Sequence, residues 1–226
     1  MPLTTIPNEL PAVHTDVVIF TVQEARLDVL LTQRRHQPFA GHWSLPGGFV
    51  RIEESLEQAA RRVLAEQTGT RQLYLEQLYT FGAPRRDLRA RIISVAYFAL
   101  ASADKVGNTS HDNAWVAWHP AFDPPLLAFD HGEIVAYAIE RLRYKLEYTA
   151  AAFQLLPEQF TLRELQNAYE VILRESLDKR NFRRKILSTQ ILEATDDYRY
   201  GDHRPARLYR FSHEAKFEGQ ARRLFP

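Results

Sequence analysis

No cysteine occurs among the 226 residues, which excludes disulfides, thiolate metal sites and cysteine nucleophiles. A chain without a disulfide framework suits a reducing compartment, so a cytoplasmic location is expected. An excess of one charge sign is missing too. Lysine plus arginine number 29 and aspartate plus glutamate 28, a formal net charge of +1. That balance excludes a uniformly basic nucleic-acid coat. No apolar run approaches the roughly eighteen residues needed to cross a bilayer, so no membrane partner is expected. The opening MPLTTIPNELPAVHTD lacks a basic segment followed by an apolar one, and no secretory signal is expected. Repeats and low-complexity tracts are also absent. With 45% apolar and 25% charged residues, the chain can bury a core.

The charge that is present is unevenly placed. Residues 1–156 carry 15 basic and 17 acidic side chains, net −2, while residues 157–226 carry 14 and 11, net +3. A mildly acidic front part and a basic tail point to two domains with different tasks, 1–150 and 157–226.

The front part reads as strands with a few helices. Val17–Phe20, Leu27–Leu31, Tyr79–Phe81, Ile92–Leu100 and Ala114–Trp118 are short apolar runs of strand type. Ser55 to Gln67 reads as a helix, with Leu56, Ala60, Val63 and Leu64 at helical spacing and Gly69 as the stop. Ile134 to Tyr148 is a second. Strands interleaved with helices predict an α/β or α+β domain.

In the tail, Thr161 followed by Glu164 is a capping-box signature ahead of the apolar stripe Leu162, Leu165, Ala168, Tyr169 and Ile172. Ser176-Leu177-Asp178 ends that helix, and Asp178 caps the next. Strands are expected at Gln190–Thr195 and Arg207–Phe211, joined by the polar loop Asp196–Pro205. Helix, turn, helix and hairpin is the order of a winged helix-turn-helix.

The segment from Gly47 to Gly69 carries the first chemistry. Glu54, Arg62 and Glu66 are spaced by eight and four, near one helix face. Carboxylates beside a glycine-rich loop suit a divalent-metal, diphosphate-handling site. The carboxylates hold the metal and the loop amides approach phosphate oxygens.

This segment resembles the Nudix box: glycine, five residues, glutamate, seven residues, then Arg-Glu-apolar-any-Glu-Glu-any-Gly. Gly48, Glu54, Arg62, Leu64, Glu66 and Gly69 match in type and spacing, and the flank Trp43–Phe49 is similar to the family's. Two positions depart from it. The glutamate after Arg62 is Val63, and the second of the Glu-Glu pair is Gln67. In Nudix hydrolases both belong to the metal-binding carboxylates. Mg²⁺ prefers anionic oxygens, so the resemblance implies a degenerate box with no metal and no catalytic residue, Glu54, Arg62 and Glu66 being its remnants.

Arg85, Arg86, Arg89 and Arg91 follow a glycine turn, and arginine forks grip phosphate oxygens in pairs. Each also reads as part of a solvated loop. Trp43, Phe49 and Phe81 could stack on a base or serve as core. The eight histidines show no metal-ligand spacing and read as structural.

Five of the seven residues from Lys179 to Lys185 are basic. Phe182 and Ile186, four apart, point inward. Arg180, Asn181 and Arg184 then project outward, with Lys179, Arg183 and Lys185 at the flanks. Arginine and asparagine read guanine and adenine edges, and flanking cations hold phosphates. Arg204 and Arg207 of the expected wing add backbone contacts.

Joined, the two parts resemble the Nudix-related transcriptional regulators, the NrtR-like family. In that family a degenerate Nudix sandwich is fused to a C-terminal winged helix-turn-helix. Ser94–Tyr97, Leu127–His131, the helix from Asp178 and Arg204–Phe211 are all similar to family sequence. The resemblance implies a homodimeric repressor on a roughly palindromic double-stranded operator. Many members control NAD synthesis or salvage and respond to ADP-ribose, with no cofactor required; others control sugar use. Arg35, Trp43, Gly47, Gly48, Phe49, Glu66, Phe81, Arg85, Arg86 and Arg91 are the expected effector residues. Three alternatives stand beside this reading: a working ADP-ribose pyrophosphatase, a sugar-utilisation regulator of the same family, and a tail that binds protein instead of DNA.

Overall fold

In the computed structural model, residues 10–69, 72–106, 115–148, 150–201 and 205–212 are described. Strands β1 (Ala12–Gln23), β2 (Arg26–Gln33), β3 (Trp43–Ser44) and β4 (Gly47–Phe49) precede helix α1 (Leu56–Thr68). Strands β5 (Tyr74–Phe81) and β6 (Ile92–Leu100), helix α2 (Ala103–Val106), strand β7 (Val116–Pro120) and helix α3 (His131–Tyr148) follow. These strands form one mixed sheet in the order β3-β2-β1-β6-β5, with β4 also on β1 and β7 on β2. The pairing of β1 with β6 is parallel; the others are antiparallel.

Side chains of β1 alternate between the two faces of the sheet. Val17 and Ile19 join Ala60, Val63 and Leu64 of α1, whereas Val18 and Phe20 join Ile134, Ala138 and Leu142 of α3. The front part is therefore a sheet covered on both sides by helices. α1 starts at a capping box between Ser55 and Gln58 and stops at Gly69, whose φ of +73° suits glycine. α3 begins three residues before the expected Ile134, because the Asp130 carbonyl accepts the Ile134 amide. β1 and β5 extend beyond the short apolar runs, since neighbouring strands supply partners for polar residues as well.

The tail contains a 3₁₀ turn (Ala150–Leu155), β8 (Phe160–Thr161), α4 (Leu162–Leu173), α5 (Lys179–Ser188), β9 (Leu192–Arg199) and β10 (Ala206–Phe211). Its small sheet runs β8-β10-β9. Asp196 to Arg199, expected in the loop, belong to β9. Pairing of Arg199 with Ala206 and of Tyr198 with Arg207 shortens the turn. One apolar core runs through both parts. Leu142 and Leu146 of α3 belong to the same cluster as Phe153, Leu165, Tyr169 and Phe182.

Candidate functional site

A cleft of about 310 Å³ is lined by residues of β1 and β4, by Arg86, Asp87 and Arg89, and by His131. Strand alternation sets which side chains reach it. Gly47 and Phe49 of β4 line the cleft, while Gly48 faces the other way, toward Arg62 and Val63. A Cβ on Gly47 would stand 2.5 Å from Asp16 Oδ1 and from His14 Cε1, so only glycine lets this strand approach β1.

The floor is a buried polar cluster. Asp16 is fully buried. Its Oδ2 accepts a hydrogen bond from the Ser94 hydroxyl at 2.5 Å and lies 3.6 Å from the Arg86 guanidinium. Its Oδ1 has no hydrogen-bond partner, although His14 Nδ1 is 3.3 Å away and His131 Nε2 3.7 Å away. Neither imidazole is aligned to donate. Burial works against ionisation of Asp16. The imidazoles of His131 and His14 and the Ser94 hydroxyl outweigh it and hold the carboxyl well below the usual range. His131 Nδ1 accepts the Leu45 amide at 2.8 Å, which leaves its proton on Nε2. Burial pushes the His131 pKa below its ordinary value of 6.5, so the ring is neutral at pH 7. Arg86 is clamped by both Asp130 oxygens at 2.6 and 2.8 Å.

The mouth is cationic. Arg89 is paired with Asp87 at 2.7 Å. Arg34 lies over the Phe129 ring at 4.8 Å and Arg35 over Trp115 at 4.7 Å. Among the described residues, no carboxylate forms an ion pair with Arg34 or Arg35.

Of the expected effector residues, Arg35, Gly47, Phe49 and Arg86 line this cleft. Trp43 instead packs edge-on against His119 at 4.4 Å, and Phe81 packs against Tyr79 and Tyr137. Arg85 is exposed, and exposed Arg91 reaches the Ala83 carbonyl. Gly48 and Glu66 lie on the α1 side of β4. His14, Asp16, Ser94, Asp130 and His131 were missed by sequence reasoning. They are scattered over more than a hundred positions, and only strand pairing assembles them. One signal was available: Asp16 is a lone acid directly before the apolar run Val17–Phe20.

Box residues clamp the loop. Arg62 donates to Glu54 at 2.9 and 3.0 Å, to Glu66 at 3.4 Å and to the Phe49 carbonyl at 3.1 Å. Val63 is 1% exposed, among apolar neighbours. Among the described residues, no group of three or more histidine, aspartate or glutamate side chains is placed to hold a metal ion.

In the tail, Asp178 caps α5 through the Asn181 amide at 2.8 Å. Phe182 and Ile186 are buried, while Lys179, Arg180, Arg183 and Arg184 are exposed. Asn181 and Lys185 are half-buried, and Arg184 donates to Asn181 Oδ1 at 2.8 Å. Arg207 donates to the Thr195 carbonyl at 2.9 Å within the hairpin, and Arg204 lies outside the described residues. The turn before α5 is pinned by Glu170, which accepts the Leu177 amide, and by Gln166, which donates to the Leu177 carbonyl. A basic helix on a pinned turn beside a hairpin is a winged helix with its second helix presented outward.

Residues 11–138 match the NUDIX domain, and residues 152–211 match the NrtR DNA-binding winged helix domain. The chain belongs to the NrtR family. The ADPR responsive transcriptional repressor NtrR of Acinetobacter baylyi is 40% identical over 208 residues, covering 89% of this chain and 82% of that one. Shewanella oneidensis NrtR complexed with a 27mer DNA superposes with a TM-score of 0.82 at 39% identity, covering 88% of this chain and 93% of that one. The NUDIX domain of the same NrtR, complexed with ADP ribose, gives 0.54 at 39% identity over 62% of this chain and 94% of the other.

Proposed function

We propose that this NrtR-family protein is a transcriptional repressor released from DNA by ADP-ribose, acting on genes of NAD biosynthesis or salvage. One observation carries the reading: an arginine-mouthed polar cleft and an outward basic helix share one chain and one apolar core. Lys179, Arg180, Arg183 and Arg184 form no ion pair among the described residues, so they remain available to phosphates and base edges. Linkage supplies the mechanism. ADP-ribose that binds better to an arrangement with misplaced α5 helices shifts the population off DNA. The repressor works in the cytoplasm as a homodimer on a roughly palindromic site, a stoichiometry that light scattering reads directly. It needs no cofactor. The box serves as a structural clamp, supported by Arg62 engaging both remaining glutamates and by the burial of Val63.

The test is a fluorescence-anisotropy titration on promoter duplex from NAD-biosynthesis genes, with and without ADP-ribose, at two salt concentrations. Tight, sequence-preferring binding that ADP-ribose weakens is expected. Operator affinity unchanged at saturating ADP-ribose would refute the release. Magnesium-dependent formation of AMP from ADP-ribose would refute the clamp and revive the hydrolase.

A further inference from the structure

We propose that the floor of the cleft is a neutral-hydroxyl subsite, in which Asp16 accepts a hydrogen bond from the free ribose of the effector. This deepens the ADP-ribose reading above and rests on it. Three observations carry it. Asp16 is a fully buried carboxylate with one oxygen, Oδ1, that no group in the protein satisfies. A buried acceptor without a donor is costly, and a cleft-lining one of this kind is completed by a ligand that donates. Secondly, that donor must be uncharged or nearly so. The floor already holds the Asp16 carboxylate, and Arg86, the cation beside it, is clamped by Asp130 from behind the lining. A phosphate there would meet the Asp16 carboxylate, with the nearest cation already engaged. Arg34 and Arg35, which have no carboxylate partner among the described residues, stand at the mouth, where a diphosphate fits. Thirdly, the two aromatic rings that line the cleft stand away from Asp16 in their contacts: Phe129 carries Arg34 and Arg89 over its ring, and Phe49 is 52% exposed. A base would stack near Phe49, and a polyol fits the depth.

The consequence is selectivity. ADP-ribose and ADP share base and diphosphate and differ by the terminal ribose, so the floor should set their affinity ratio. NAD carries a pyridinium on that ribose and should be disfavoured beside the buried His131 and Leu45 of the lining.

The experiment is calorimetric titration of the full chain with ADP-ribose, ADP and NAD, repeated with Asp16→Asn. A charge-assisted hydrogen bond of ordinary strength predicts ADP-ribose tighter than ADP by about 10- to 100-fold in the natural protein. Asp16→Asn should collapse that ratio toward one. Equal affinity for ADP and ADP-ribose, or an undiminished ratio in Asp16→Asn, would overturn the subsite and leave the effector reading standing. Failure of all three nucleotides to bind would overturn both. If Asp16→Asn does not fold, ADP-ribose lacking the terminal 2-hydroxyl decides on the natural protein. Undiminished affinity for both that analogue and ADP sinks the proposal; a loss matching ADP supports it.

Discussion

His131 enters the cleft as a neutral ring held by the Leu45 amide. Burial depresses its pKa below 6.5, and its effect on stability follows from that direction. Below about pH 6.5 the unfolded chain binds a proton that the folded ring refuses, so stability falls as pH falls toward the folded pKa. Above pH 6.5 neither form is protonated and the effect vanishes. The thermal midpoint should therefore decline between pH 7 and pH 5.5. His131→Asn, whose carbonyl can still accept the Leu45 amide, should decline less steeply. Scanning fluorimetry across that range checks this, and identical slopes would sink it. His119, also depressed by burial, titrates in both proteins and cancels in the comparison. No spacing in the chain marks His131 as special. Its neighbours in space, His14 and Asp16, arrive from β1 more than a hundred positions away, which is why sequence alone left all the histidines as structural.

The elements themselves were far more legible, because their signals are local. Thr161 and Glu164 form the anticipated reciprocal cap, with the Thr161 amide 2.7 Å from Glu164 and the Glu164 amide 3.2 Å from the Thr161 hydroxyl. Thr161→Ala should cost about 1 kcal/mol of stability and Thr161→Ser much less, measured by urea unfolding. Equal loss in both would assign the effect to β8 packing instead. Asp178, Phe182 and Ile186 likewise took their expected roles on α5. What local pattern could not supply was partnership. β3, β4 and β8 are two or three residues long and exist only because β2, β1 and β10 pair with them. For α5 the reading makes a graded prediction. Lys179→Ala should weaken operator and random DNA alike and reduce the slope of log affinity against log salt by about 1. Arg180→Ala should cost about 1–3 kcal/mol on the operator and much less on random DNA. Anisotropy titrations over a salt series separate the two, and an unchanged operator affinity in Arg180→Ala would point to another reading residue.

Across the whole molecule, the cleft floor and the basic helix α5 are joined by packed elements rather than by a tether. α3 has 18 residues and spans about 27 Å. Its first residue is His131 in the cleft. Farther along, Arg143 donates to the Ile172 carbonyl at 2.9 Å, near the end of α4. Arg143 and Arg174 both lie over Phe122 at 5.2 Å. From α4 the contact passes to α5 through Tyr169 and Phe182, whose rings meet edge-on at 5.6 Å. A shift of Asp130 or His131 on ligand binding would thus move the far end of a stiff rod against α4, and α5 with it. Spatial continuity is not coupling, so the test must read the coupling itself. Arg143→Ala removes the hydrogen bond and the stacked cation, and should shrink the factor by which ADP-ribose weakens operator binding by about threefold or more. Arg143→Lys keeps the charge but loses the planar fork, and should fall between. The measured quantity is the ratio of operator affinities with and without saturating ADP-ribose. A ratio equal to that of the natural protein in Arg143→Ala would show that the signal reaches α5 by another route, such as the shared core under β1 and the 3₁₀ turn.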